Sequence, residues 1–82
     1  MVANANPATR YAFERRIPAE DIRFGDEVLL NERGEYEVVV GIKRLRGIET
    51  RIWIRPTDKP EGRQRSTVVY NRNWFFVRRP VR

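Results

Sequence analysis

Alternation of apolar and polar residues is clearest in residues 49–55, where every second side chain is apolar or small. Ile52 and Ile54 would face the interior of a β-sheet, and Thr50 would join them. Arg51, Trp53 and Arg55 would then lie together on the opposite face. Pro56 ends the pattern, so this stretch predicts one strand with a buried side and an exposed side.

Four other stretches have the β-branched and aromatic residues typical of strands. The β-branched run at 36–45 is the strongest of them, and the strands are predicted at 28–30, 36–45, 66–70 and 74–77. Residues 9–17 also alternate and predict a short additional edge strand, in which Arg15 would lie on the apolar side. Pro18 ends that stretch, and residues 18–22 predict a single helical turn.

Turn residues separate these strands. Gly25 can adopt a positive φ and Asp26 can hydrogen-bond to nearby backbone, so a tight turn should lead into the strand at 28–30. Gly34 predicts a hairpin to the strand at 36–45. Within that strand Tyr36, Val38, Val40 and Ile42 should share one face, and Gly41 predicts a bulge or a sharp bend. Short strands with turns every 8–12 residues predict a small all-β barrel of five strands.

The motif Ile22-x-x-Gly25-Asp26-x-Val28, followed by hairpins and a basic end, resembles the small SH3-like barrels of bacterial and bacteriophage proteins. The same Gly-Asp-x-Val opening occurs in Hint-type and KOW-type β domains. The resemblance covers about residues 20–79. It implies an SH3-like fold and a binding role, often toward nucleic acid or protein segments, and it assigns no functional residue.

With 82 residues, the chain is long enough for one domain. We expect a disordered tail at residues 1–8, the domain at 9–79 and a basic tail at 80–82. The chain has no cysteine and no histidine, which removes the commonest metal ligands and the usual proton-transfer group. No carboxylate pair or activated nucleophile takes their place, so we expect neither an enzyme nor a cofactor or metal. No apolar run is long enough to span a membrane, and we expect a cytoplasmic protein.

Charge is distributed unevenly along the chain. Residues 1–41 carry five arginines against eight acids, a net charge of −3, whereas residues 42–82 carry twelve Lys or Arg against three acids, a net charge of +9. Fifteen of the seventeen basic residues are arginine, the side chain best suited to bidentate phosphate or carboxylate contacts. This pattern indicates an anionic partner; the alternative is arginine enrichment through a GC-rich genome.

The outward face of the strand at 49–55 is the candidate binding site. Two arginines flank Trp53 there, and single-stranded nucleic acid is bound by cations that contact phosphate and aromatic rings that stack on bases. Other basic residues predicted to contribute are Lys43, Arg44, Arg46, Arg63 and Arg65. The alternative is that Trp53 packs on a neighbouring strand under arginine side chains.

A second candidate surface lies on the strand at 74–77, which is apolar on both faces. Either the strand is buried on both sides, or Trp74 and Phe76 form a docking surface. The sequence therefore leaves three functions open. One is a nucleic-acid-binding module, and another is a phage or bacterial accessory or inhibitor protein that binds an acidic protein partner through a strand edge or this aromatic face. The third is a structural, homo-oligomeric protein.

Overall fold

A computed structural model describes residues 10–59 and 62–81, and the tail expected at residues 1–8 lies outside them. The described residues form six strands and one 3-10 turn, which confirms the all-β class. They are β1 (Tyr11–Pro18), the 3-10 turn (Ala19–Asp21), β2 (Glu27–Leu29), β3 (Tyr36–Arg44), β4 (Glu49–Pro56), β5 (Arg65–Tyr70) and β6 (Trp74–Pro80). The prediction of five strands was wrong because residues 11–18 form a complete strand rather than a short addition.

All six strands join one antiparallel sheet in the order β1-β6-β2-β3-β4-β5. The sheet is not closed into the expected barrel, since β1 and β5 are its two outer strands and form no ladder with each other. Pro18 ends β1 and the chain turns into the 3-10 turn. There the amides of Ala19 and Glu20 donate to the carbonyls of Asn73 and Asn71, at 2.8 and 3.1 Å. These two hydrogen bonds connect the 3-10 turn to the β5–β6 turn, whereas a closed barrel would have a ladder between the outer strands.

One face of the sheet carries the core. As the alternation predicted, Thr50, Ile52 and Ile54 of β4 are fully buried. They pack with residues from the other strands and from the turn after β1: Ile17, Ala19, Ile22, Val28, Val39, Val69 and Val77. Pairing of Val28 with Val77 joins β2 to β6 within this core.

Two bulges change which residues face the core. The register of β3 shifts between Val39 and Gly41, as the glycine predicted. Val39 and Ile42 therefore share the inner face, and the prediction that Ile42 shares a face with Val38 was wrong. A second bulge lies between Tyr11 and Phe13 of β1, so these two aromatic rings lie on opposite faces.

The turn before β2 is hydrogen-bonded to the end of β6. Gly25 has φ of 90°, as predicted, and the amide of Arg23 donates to Asp26 Oδ2 at 2.9 Å. Arg79 donates from Nε to Asp26 Oδ1 at 2.7 Å and from Nη2 to Oδ2 at 2.8 Å. These bonds raise the pKa of the Arg79 guanidinium above its ordinary value. Because Arg78 and Arg79 pair with acids of the fold, β6 runs on to Pro80, three residues beyond the strand predicted at 74–77.

Candidate nucleic-acid interface

Three side chains of β4 point away from the core, as the sequence predicted. Arg51, Trp53 and Arg55 alternate with the buried Ile52 and Ile54 and are each partly exposed. Lys43 of β3 lies directly opposite Arg51 in the ladder and is exposed. Since directly opposed residues share a face, these four side chains form one surface, called here the basic-aromatic face: Lys43, Arg51, Trp53 and Arg55.

Trp53 is held against the backbone of β3. It pairs with Gly41, and a Cβ atom added at Gly41 would lie 3.1 Å from Trp53 Cε3. The glycine therefore leaves the space that the indole occupies, while part of the ring stays in contact with solvent. The indole does pack on a neighbouring strand, which was the structural alternative for this residue. The packing fixes its position without burying it completely.

The cations of the basic-aromatic face make few contacts within the fold. Arg51 Nη1 donates to Ser66 Oγ at 3.2 Å, and Arg55 Nη1 donates to the Pro56 carbonyl at 3.4 Å. Within residues 10–59 and 62–81, no salt bridge joins Arg51, Arg55 or Lys43 to an acid. Their positive charges are therefore not neutralised by the described part of the chain.

Two of the predicted site residues lie elsewhere. Arg44 pairs with the buried Thr50 and donates to its Oγ1 at 2.9 Å. Its guanidinium also donates to the carbonyls of Glu20 and Ile22, at 2.9 and 3.0 Å, and so holds the 3-10 turn against β3. Arg65 binds both carboxylate oxygens of the buried Glu37, at 2.8 and 3.3 Å. The fold already uses both guanidinium groups.

Arg46 and Arg63 lie at opposite ends of the basic-aromatic face. Arg46 is exposed in the turn between β3 and β4, beyond the pair formed by Lys43 and Arg51. Arg63 is exposed just before β5, whose first residue pairs with Ile54. Both positions extend the positive surface along the strands.

Sequence reasoning missed the contribution of β5 to this surface. Val68 lies opposite Arg51, and Tyr70 lies opposite Glu49 with 51% of its surface exposed. Their alternation with the buried Val69 was visible in the sequence. Which residues of β4 they would meet depended on the register across the long connection between β4 and β5, and the sequence does not set that register.

Trp74 and Phe76 lie on the outer face of β6 and remain 55% and 49% exposed. Phe75 and Val77 point inward, and Val77 is completely buried. Of the two possibilities for this strand, the one with a single exposed aromatic face agrees with the structure. In the ladder Phe76 lies opposite Arg16 of β1, and Trp74 lies opposite Pro18.

A network of polar side chains lies between the two aromatic surfaces. The Arg78 guanidinium lies 4.7 Å from the ring of Tyr11 and 4.1 Å from the ring of Tyr36, and it pairs with Glu27. Tyr11 donates to Glu27 at 3.1 Å, and Tyr36 donates to Glu14 at 3.0 Å. Burial raises the pKa of both tyrosines, and these carboxylates raise it further. The network connects β1, β6, β2 and β3, and its tyrosine hydroxyls and its arginine find their partners within the fold.

No family model, curated protein or solved structure matches the chain. In the described part of the chain no helix is long and apolar enough to cross a membrane. Nor do the described acidic residues form a group of three or more that could hold a metal ion. The geometry of the exposed surfaces is therefore the basis for assigning a function.

Proposed function

We propose that this protein is a non-enzymatic module that binds single-stranded nucleic acid through the basic-aromatic face. The observation that carries the proposal is the position of Trp53, held against Gly41 between Arg51 and Arg55. Neither arginine has an acidic partner among the described residues. The planar guanidinium of arginine can donate two hydrogen bonds to one phosphate. A fixed indole can stack on any of the bases.

The spacing of the face fits an extended strand of nucleic acid. Arg51 and Arg55 are four residues apart, about 13 Å along β4, with Trp53 midway. Lys43 widens the charged row toward β3, and Tyr70 adds a second exposed ring on β5. A backbone running along β4 would meet the two guanidinium groups on either side of a stacked base. Holding Trp53 in place beforehand lowers the entropy cost of that contact.

We also infer that the fold is an open variant of an SH3-like barrel. Five consecutive positions in the sheet are taken by β6, β2, β3, β4 and β5, and β1 is added outside them along β6. The opening turn at Gly25 and Asp26 and the β2–β3 hairpin follow the pattern of the resemblance. The proposed binding role does not depend on this assignment.

Fluorescence anisotropy with labelled single-stranded DNA, single-stranded RNA and duplex DNA tests the proposal at low salt. Trp53→Ala should weaken single-strand binding by about 1–3 kcal/mol, or roughly 5- to 150-fold, if a base stacks on the indole. Arg16→Ala is the matched control, because Arg16 is exposed on β1 and distant in the sheet from β4. Absence of binding to every oligonucleotide, or equal losses in Trp53→Ala and the control, would contradict the proposal. Circular dichroism would first establish that each variant is folded.

A second candidate function rests on the exposed aromatic pair of β6. Trp74 and Phe76 present two adjacent rings beside Arg16, a combination suited to an acidic protein partner. In nuclease-treated lysate, a partner of this surface should be captured by the wild type and lost with Trp74→Ser/Phe76→Ser. Sedimentation of the same two proteins tests whether the surface instead joins copies of this chain.

A further inference from the structure

The outer edge of β5 is unpaired in the described part of the protein. β5 forms a ladder with β4 along one side, between Glu49–Tyr70 and Ile54–Arg65, and no described strand pairs with its other side. A free edge presents a row of backbone N–H and C=O groups, which is a template for another strand.

The two edges of the sheet differ in how well they are protected against pairing with another strand. The β1 edge has a bulge near Tyr11 and the exposed charges Glu14, Arg15 and Arg16, devices that prevent strand addition. β5 has no bulge, and residues 66–70 carry no charge. Two apolar or aromatic side chains of that run are exposed, Val68 at 39% and Tyr70 at 51%. Only the β5 edge is therefore suited to pairing.

A groove lined by both apolar and polar side chains runs beside this edge. A cavity of about 340 Å³ is lined by β5 together with Leu30 and Phe75, which are both half-buried against the core. β6 begins on the far side of the groove, and its residues 74–76 pair with β1 alone, because β2 reaches only Val77 and Arg78. Side chains of an added strand could thus lie in the groove while its backbone pairs with β5.

Positive charge marks both ends of the same edge. Arg63 is exposed just before β5, and Arg72 is exposed in the turn after its end, whereas Arg65 is already paired with Glu37. An occupant with acidic residues at its ends and apolar residues between them would match this arrangement. A second copy of the chain would not. Two β5 strands paired antiparallel would bring Arg63 of one copy opposite Arg72 of the other, and parallel pairing would align identical arginines.

We propose that β5 binds an extended acidic peptide as a seventh strand of the sheet. The peptide has an apolar or β-branched centre that lies in the groove and carboxylates that pair with the arginines at either end. Six residues of β5 span about 20 Å, so a peptide of six to eight residues fills the edge. Backbone hydrogen bonds supply affinity in this mode, and alternate side chains supply specificity. The site uses none of the four residues of the basic-aromatic face, and it shares only Arg63 with the positive surface that extends that face.

The test uses a synthetic fluorescent peptide of eight residues, Asp-Glu-Val-Thr-Val-Ile-Asp-Glu, titrated with the full chain. Two N-methylated versions, with methyl groups on alternate amides in opposite registers, separate strand addition from other modes. One set of amides should face β5 and the other should face away. We therefore expect one register to reduce affinity at least about tenfold and the other to leave it within about twofold. Equal effects of both registers, or no binding by the unmodified peptide at millimolar concentration, would overturn the proposal.

Protein variants locate the site. Arg63→Glu/Arg72→Glu should weaken binding at least about tenfold, whereas Arg15→Glu, at an exposed arginine of β1 outside both proposed surfaces, should have no such effect. Hydrogen exchange should show new protection in residues 65–70 on peptide binding and none in residues 11–16. Protection confined to β1, or self-association of the chain that depends on residues 65–70, would show that the proposed occupant is wrong. Trp53→Ala should bind the peptide normally, so this proposal can fail or succeed apart from nucleic-acid binding.

Discussion

Replacing Asp26 with asparagine removes a single negative charge from the interior while keeping nearly the same shape. The Asp26 side chain is 1% exposed and accepts two hydrogen bonds from Arg79 and one from the amide of Arg23. An asparagine amide would place a donor where one of these donors already points. The Arg79 guanidinium would also lose its only salt bridge in the described structure.

The expected cost follows from the burial of the two partners. Removing one member of a buried ion pair destabilises a protein by about 3–5 kcal/mol. Arg79 is 25% exposed, so water can solvate part of the stranded cation, and we expect a loss of about 3 kcal/mol. In a domain of this size each kcal/mol lowers the melting temperature by roughly 4–8 °C. The Asp26→Asn variant should therefore melt at least about 12 °C below the wild type.

Urea denaturation followed by tryptophan fluorescence measures the free energy of unfolding. Arg33→Gln is the control, since the Arg33–Glu35 pair is 81% and 61% exposed and should contribute less than about 1 kcal/mol. A double-mutant cycle with Asp26→Ala and Arg79→Ala should give a coupling energy of about 2 kcal/mol or more. Additive losses in the cycle, or an Asp26→Asn variant as stable as the control, would refute the reasoning.

Two further predictions concern stability. Gly25→Val should lower the free energy of unfolding by about 1–3 kcal/mol, because valine is strained at φ of 90°; an unchanged urea midpoint would contradict this. The raised pKa values of Tyr11 and Tyr36 imply that the folded state holds these protons more tightly than the unfolded state, where the pKa is 10.0. Their contribution is complete below that pH and is lost as the pH rises through the folded-state values. Tyr11→Phe/Tyr36→Phe should therefore flatten the decline of unfolding free energy above about pH 10, and an equally steep decline would show that other groups cause it.

The strands predictable from sequence were those with local signals. Ile52 and Ile54 alternate with Arg51, Trp53 and Arg55 without interruption. β4 covers this pattern and ends with it at Pro56. Gly25 and Gly41 marked a positive φ and a bulge, because glycine is the residue that those backbones favour. The outward position of Trp53 followed from the same alternation.

What the sequence did not predict depends on contacts between distant residues. The bulge near Tyr11 shifts β1 by one residue and so exchanges its faces, and no single residue near Tyr11 predicts it. Arg79 extends β6 because it meets Asp26, 53 residues earlier in the chain. Arg44 resembled any other exposed basic residue until its contacts with the 3-10 turn showed a structural role.

The salt dependence of single-strand binding tests the central claim, that Arg51 and Arg55 contact phosphates on either side of Trp53. Each phosphate contact contributes about 0.7 to the slope of log affinity against log salt concentration for single strands. Arg51→Ala/Arg55→Ala should therefore make the slope shallower by about 1.4 and leave the melting temperature nearly unchanged, as expected for cations outside any ion pair in the described structure. A slope equal to that of the wild type would show that the nucleic acid, if bound, lies elsewhere on the protein.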